Sequence, residues 1–140
     1  MEYENSCYVY VDKLFTFQEA RSYCQGFLGK NAEVLYDIKD PDSNRYILNL
    51  VSKEAAFFKT GKLWLGLEIL GLNNESRWIK HDSGASSRDY RNWVHGNSPQ
   101  NQFRRQCTIM LNNGEWTNNG CYEHLPFVCK KSKNFLVVLR

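Results

Sequence analysis

The sequence predicts a single α+β domain in which two helices precede a series of antiparallel strands. Both helix signals lie before residue 55, and five strand-like segments follow between residues 62 and 130. This order differs from the regular alternation of strands and helices that builds a parallel sheet. The 140 residues, of which 42% are hydrophobic and 14% aromatic, suffice for one hydrophobic core but hardly for two.

The first predicted helix begins at a capping box at residues 16–19. The Thr16 side chain can accept a hydrogen bond from the backbone, and Glu19 can reach back to the start of the helix. Gly26 and Gly29 indicate its C-terminal end. Apolar residues recur between these signals at intervals of three and four, so the buried face carries a cysteine: Phe17, Ala20, Tyr23 and Cys24.

A second helix is predicted from Asp40, the N-cap, to about Glu54. Pro41 suits the first turn, where its missing N–H is not needed, and the Asp42 carboxylate complements the positive end of the helix dipole. The apolar face of this helix carries Tyr46, Ile47, Leu50 and Val51.

Strands dominate the remainder of the chain. The segment 62–69 is rich in β-branched, aromatic and aliphatic residues and is predicted to be the most buried strand. The other predicted strands are 77–80, 106–111, 114–117 and 125–130.

The stretch from Lys80 to Gln106 lacks the regular spacing of hydrophobic residues that indicates a helix or a strand. Gly84, Gly96 and Pro99 interrupt this stretch, which is also rich in Ser and Asn. It is either a long ordered loop or a disordered insert. Because loops carry function more often than the scaffold does, we expect the functional part of the domain here.

The five cysteines favour an oxidising compartment, with free buried thiols as the alternative. A zinc site is disfavoured, since no two cysteines lie two to four residues apart and the three histidines are scattered. The apolar run 135–139 is far shorter than the roughly 20 residues that span a bilayer. We expect no membrane segment in this chain, and any signal peptide or anchor to lie outside it.

Several motifs occur in the order and at the spacing of one known family. They are Phe-Gln-Glu-Ala with a cysteine at 17–24, Trp-Leu-Gly-Leu at 64–67, Glu-Ser-Arg-Trp at 75–78, His-Asp-Ser-Gly at 81–84, Tyr-Arg-Asn-Trp at 90–93 and Asn-Gly-Glu-Trp at 113–116, the last followed by Cys121 and Cys129. From Cys7 to Lys131 the chain resembles the long-form C-type lectin-like domain.

The resemblance implies a disulfide-stabilised α+β fold, with two helices flanking antiparallel sheets and a long ordered loop. The domain would span residues 1–131, with an N-terminal strand or hairpin remnant at 1–15, the long loop at 80–106 and a C-terminal tail at 132–140.

The resemblance also implies two disulfides, Cys24–Cys129 and Cys107–Cys121. They would close loops of roughly 100 and roughly 13 residues and stabilise the fold by about 3 to 5 kcal/mol each in the loop-entropy model. Cys7 remains. Its partner in long-form members lies about ten residues upstream and is absent here, so the Cys7 thiol is free, blocked or bonded to another chain.

Sugar-binding members of this family hold a calcium ion with oxygen ligands from the long loop and the strand after it. Two of the ligand positions flank a cis proline. The positions that match are neutral or basic in this chain: Ser98 and Gln100 around Pro99, Arg105, Thr117 and Asn118. Calcium needs about 6 to 8 oxygen ligands and negative charge. A guanidinium about 4 Å from the ion would cost on the order of 8 kcal/mol at an effective dielectric constant near 20. We therefore expect neither calcium at this site nor any other cofactor.

The stretch 80–106 has a surplus of positive charge. It contains one lysine and four arginines against two aspartates, and this difference of three equals the net charge of +3 of the whole chain. Arginines beside aromatic rings suit sulfate, phosphate or carboxylate groups. An ordinary solvated loop is the alternative. The candidate ligand-binding residues are Arg88, Tyr90, Arg91, Trp93, Phe103, Arg104 and Arg105.

These observations predict an extracellular, non-enzymatic recognition module that binds a protein or an anionic glycan, and no nucleic acid. No histidine lies beside a nucleophile, so no catalytic residue is predicted. Asn74 opens a glycosylation sequon, as suits a secreted protein or an ectodomain. Cys7 would permit a covalent oligomer. The alternatives are a carbohydrate-binding lectin with atypical calcium ligation and a structural or adhesive ectodomain.

Overall fold

A computed structural model describes residues 1–70, 75–80, 90–99 and 106–133. The elements in chain order are β1 Glu2–Tyr3, β2 Ser6–Phe15, α1 Phe17–Leu28, β3 Glu33–Val34, α2 Pro41–Val51, α3 Ala55–Thr60, β4 Lys62–Leu65, β5 Leu67–Leu70, β6 Glu75–Trp78, β7 Cys107–Leu111, β8 Trp116–Asn119 and β9 Leu125–Ser132. These strands pair with one another in antiparallel fashion and form three sheets, with the orders β1-β2-β9-β3, β4-β7-β8 and β5-β6. The predicted α+β class is confirmed.

The first sheet joins the two ends of the domain. β2 pairs with β9 from Ser6 opposite Ser132 to Phe15 opposite Leu125. β9 thus continues one residue beyond the predicted end of the domain at residue 131. At the N-terminus β1 and β2 form a short hairpin, in which Glu4 and Asn5 adopt left-handed φ angles of 49° and 66°, as tight two-residue turns require.

α1 begins as the sequence predicts. Thr16 accepts a hydrogen bond from the Glu19 backbone, and the Glu19 side chain accepts one from the Thr16 backbone. The helix continues past Gly26 and ends at Leu28, where Gly29 has a φ of 102°. The buried face carries Cys24, whose sulfur is bonded to Cys129 on β9.

α2 ends at Val51, and a short helix that the sequence analysis missed, α3, follows it. Glu54 is the N-cap of α3 and not the end of α2. The first turn of α3 is held from outside, because Asp12 on β2 accepts a hydrogen bond from the Ala56 N–H at 3.0 Å. This contact lies 44 residues away in the sequence, so no local pattern signals it.

The predicted strand 62–69 is wrong as a single element, because Gly66 divides it into β4 and β5 in different sheets. The Gly66 N–H donates to the Leu35 carbonyl at 2.6 Å, and its carbonyl accepts from the Ile79 N–H. A Cβ at this position would lie 2.5 Å from the Val34 carbonyl oxygen. Only glycine allows so close an approach of backbones.

The boundaries of three other strands shift by two residues at one end or both: β6 ends at Trp78, β8 begins at Trp116, and β9 extends to Ser132. Trp64, Trp78 and Trp116 are all buried and so contribute to the core. Among the residues that the structure describes, no helix has the length and apolar character to cross a membrane.

The structure contains both expected disulfides, Cys24–Cys129 and Cys107–Cys121. The second bond links Cys107, at the start of β7, to Cys121, in the turn after β8. It therefore lies directly after the long loop, which ends at residue 106. Cys7 is half-buried and forms no disulfide.

Candidate functional site

The candidate site lies where the long loop returns to the sheet. Residues 90–93, here called the loop stem, run beside β8, and Trp93 forms a parallel bridge with Trp116. The Trp116 N–H donates to the Asn92 carbonyl at 2.8 Å. The loop stem is thus joined to the outer edge of β8.

Arg91 is held by acceptors within the domain. Its Nε donates to Ser76 Oγ at 2.7 Å, and its Nη2 donates to the Ser76 carbonyl at 2.9 Å. Nη1 donates to the carbonyl of Tyr90 at 2.8 Å, and the guanidinium carbon lies 5.5 Å from the centre of the Trp78 ring. Where the sequence predicted a ligand contact, the structure shows a side chain that ties the loop stem to β6.

The two aromatic residues of the loop stem pack on Trp116. Trp93 is only 8% exposed, and its ring meets that of Trp116 edge to face at 6.1 Å. The half-buried Tyr90 ring meets Trp116 from another side at 5.6 Å, and burial raises the pKa of its hydroxyl. Both rings pack on Trp116 in the core, and the ligand contact predicted for Trp93 stays a prediction.

A buried amide network, not predicted from the sequence, locks the same corner to α2. Asn44 Nδ2 donates to the Gly114 carbonyl at 3.0 Å, and Asn44 Oδ1 accepts from Trp116 Nε1 at 2.9 Å. Asn92 Nδ2 donates to the same Gly114 carbonyl at 2.8 Å. The sequence feature that could have indicated this network is the position of Asn44, which lies three residues before Ile47 and so on the apolar face of α2.

The outer half of β8, residues 117–119, is here called the β8 rim. Its side chains are half-buried and polar. Thr117 Oγ1 donates to Asn118 Oδ1 at 3.2 Å, and Asn118 Nδ2 donates to Oε1 of Gln106, a residue that the sequence analysis did not name as part of the site. Asn119 Nδ2 donates to Glu123 Oε1 at 2.8 Å, and Lys62 Nζ donates to the same carboxylate. The pKa of Glu123 is held below its usual value by the Asn119 hydrogen bond and by Lys62.

On the loop side, Ser98 Oγ lies 3.5 Å from the Pro99 carbonyl oxygen, to which it donates. The peptide bonds of the described residues are all trans, so Pro99 differs from the cis proline that the resemblance implied. Some predicted site residues lie outside the described residues: Asn74, Arg88, Gln100, Phe103, Arg104 and Arg105.

The described part of the site offers neutral donors and acceptors. Thr117, Asn118, Gln106 and Ser98 contribute hydroxyl and amide groups, and the Glu123 carboxylate is engaged by Asn119 and Lys62. Within residues 1–70, 75–80, 90–99 and 106–133, no three His, Cys, Asp or Glu side chains are grouped as metal ligands would be. This arrangement can recognise polar groups by hydrogen bonding.

Comparison with known proteins gives a consistent assignment. Residues 13–131 match the family described as the lectin C-type domain. One subunit of the snaclec coagulation factor IX/factor X-binding protein of Trimeresurus stejnegeri is 28% identical over 91% of this chain and 79% of its own length. An alpha-N-acetylgalactosamine-specific lectin of Patiria pectinifera is 28% identical over 93% of this chain and 76% of its own length.

The fold comparison agrees. The crystal structure of human lithostathine superposes with a TM-score of 0.74 and 21% identity, covering 94% of this chain and 87% of that one. The family match spans most of the chain and includes both disulfides, the loop stem and the β8 rim. This chain belongs to the C-type lectin domain family.

Proposed function

We propose that this domain is an extracellular, non-enzymatic recognition module that binds a protein or an anionic glycan without calcium at the usual site of its family. The observation that carries the proposal is the chemistry of the β8 rim, where the groups that would face the ion are neutral and bonded to one another. It is supported by the family, whose members are generally not enzymes.

The residues present do not fit a calcium ion. Such an ion takes about 6 to 8 oxygen ligands, several of them usually carboxylates. Here Asn118 Oδ1 already accepts from Thr117, and the Asn118 amide nitrogen donates to Gln106. Binding an ion would break these bonds without supplying negative charge. Arg105, at another ligand position in the sequence, adds a repulsive charge.

An anionic ligand is favoured by the charge of the loop. The sequence between residues 80 and 106 carries the surplus of positive charge, and the hydrogen bonds of Arg91 assign that side chain to the loop stem. The arginines that remain for a ligand are Arg88, Arg104 and Arg105. Guanidinium groups bind carboxylate, sulfate and phosphate groups through paired hydrogen bonds.

The relatives include protein binders and sugar binders. The name of the snaclec states that it binds coagulation factors, which are proteins, and the name of the Patiria lectin states specificity for an uncharged sugar. For this chain a protein is supported by the first relative and an anionic glycan by the charge of the loop, and a neutral sugar held through calcium is the competing function.

Calcium titration and a glycan array separate these functions. We expect isothermal titration calorimetry to show no saturation by calcium at physiological concentrations. We expect array binding to be the same with calcium and with a chelator, and confined to sulfated or carboxylated glycans. Silence on the array would favour a protein ligand. A calcium-dependent sugar signal that is lost in Asn118→Ala would contradict the proposal.

The basic loop is tested on a heparin column, which presents sulfate and carboxylate groups. Arg104→Ala combined with Arg105→Ala should elute at lower salt than the wild type, because exposed charge contacts are screened over about 8 Å at physiological ionic strength. The matched control is Lys53→Ala combined with Lys59→Ala, which removes the same charge from exposed positions after α2 and on α3. Equal elution of the two double variants would mean that only net charge matters.

A further inference from the structure

Two Asn-Gly dipeptides, here called steps, lie at the two ends of β8, and their surroundings differ. Asn113–Gly114 precedes the strand, and Asn119–Gly120 begins at its last residue. In an Asn-Gly sequence the backbone nitrogen of glycine can attack the carbonyl carbon of the asparagine side chain, because glycine has no side chain to hinder the approach. Asparagine is for this reason among the chemically labile residues of proteins.

The first step is locked on both sides of its glycine. Gly114 is buried, its N–H donates to the Leu111 carbonyl at 2.9 Å, and its carbonyl accepts from two asparagine side chains at 3.0 and 2.8 Å. The Asn113 side chain is also fixed, since its Oδ1 accepts from the Glu115 N–H at 2.9 Å. Attack by the Gly114 nitrogen would break the hydrogen bond to Leu111 and move a glycine whose carbonyl is held by Asn44 and Asn92.

The second step is open at its glycine. Gly120 is exposed and follows the last residue of β8. No described residue accepts a hydrogen bond from its N–H. The Asn119 side chain is held only through its amide nitrogen in the described contacts, where Nδ2 donates to the Gly120 carbonyl at 3.2 Å and to Glu123 Oε1 at 2.8 Å.

We propose that Asn119 is a site of spontaneous deamidation. The Gly120 nitrogen loses its proton to hydroxide or another solvent base and forms a bond to Cγ of Asn119. The bond from Cγ to Nδ2 breaks, and ammonia leaves with a proton taken from solvent. Water then opens the resulting five-membered succinimide at either carbonyl, which leaves aspartate or isoaspartate at position 119.

The product changes the charge of the β8 rim. In the unmodified protein the Asn119 amide donates to Glu123. A carboxylate at position 119 would instead face the Glu123 carboxylate, which is paired with Lys62. A new negative charge would also lie beside Thr117 and Asn118. If the domain binds an anionic ligand, as proposed above, the modified form should bind it more weakly, but the deamidation itself does not depend on that function.

The test is peptide mapping by mass spectrometry after incubation of the folded protein at mildly alkaline pH. We expect conversion at Asn119 to be faster than at Asn113 by about tenfold or more. A tenfold ratio corresponds to a difference of about 1.4 kcal/mol in barrier height, which is the order of the one or two hydrogen bonds that must break at Gly114. The control is the reduced, denatured chain, in which both Asn-Gly steps should convert at similar rates.

Gly120→Ala is the matched variant. No atom lies within 4 Å of a Cβ at this position, and the φ of Gly120 is not in the left-handed region, so the substitution should leave the fold intact. It should slow conversion at Asn119 several-fold and leave Asn113 unchanged. Equal rates at Asn113 and Asn119 in the folded protein, or no effect of Gly120→Ala, would overturn the proposal.

Discussion

The loop stem and the β8 rim are neighbours in the fold, but their side chains have different uses. In the loop stem, Arg91 donates a hydrogen bond to Ser76 and lies near the ring of Trp78, both inside the domain. The Trp93 ring packs on Trp116. In the β8 rim, the described side-chain hydrogen bonds of Thr117 and Asn118 join these residues to each other and to Gln106, and their side chains stay half-buried. Residue types that suit ligand binding therefore do not identify a binding surface until their internal partners are known.

Trp93→Ala, in the loop stem, is expected to have the largest effect on the free energy of unfolding. Removing a large buried aromatic side chain leaves a cavity beside Trp116, and we expect a loss of about 3 to 5 kcal/mol in the free energy of unfolding. Urea denaturation followed by circular dichroism measures it. The control is Tyr122→Ala, because Tyr122 is 78% exposed and its loss should cost less than about 0.5 kcal/mol. A stable Trp93→Ala protein with impaired ligand binding would return Trp93 to the ligand site.

An intermediate effect is expected from Arg91→Lys, which keeps the charge but removes the planar fork that reaches Ser76. We expect roughly 2 kcal/mol of destabilisation from the lost hydrogen bonds, and heparin elution unchanged for the folded protein. Arg77→Lys is the control, since the Arg77 side chain is 65% exposed and its ion pair with Glu68 is at the surface. Unchanged stability together with earlier elution would show that Arg91 contacts the ligand.

The smallest effect on stability is expected from Asn118→Ala. Its hydrogen bonds to Thr117 and Gln106 are partly exposed to water, so the free energy of unfolding should change by less than about 0.5 kcal/mol. Binding of the glycan or protein ligand should fall if the β8 rim forms part of the contact. Loss of more than about 2 kcal/mol would mean that the rim belongs to the core, as the loop stem does, and would remove the distinction between them.

Local signals in the sequence were sufficient for much of the fold. The capping box at Thr16 and Glu19 begins α1, and Asp40 with Pro41 begins α2, because each signal acts on backbone groups within one turn. Both disulfides followed from the family resemblance. The division of one predicted strand at Gly66 could not be anticipated in this way, because it depends on the close approach of Val34, which lies far earlier in the chain.

The sequence by itself determined the fold class, the starts of α1 and α2, the family and the lack of carboxylates at the calcium positions, since each of these rests on short-range patterns or on residue type. Only the tertiary structure decided that Arg91 and Trp93 hold the loop stem, that Asn44 ties α2 to Trp116, and that one Asn-Gly step is locked while the other is open. The physical reason is that hydrogen-bond partners and burial depend on residues far apart in the chain. Identical dipeptides can therefore meet opposite environments in one fold.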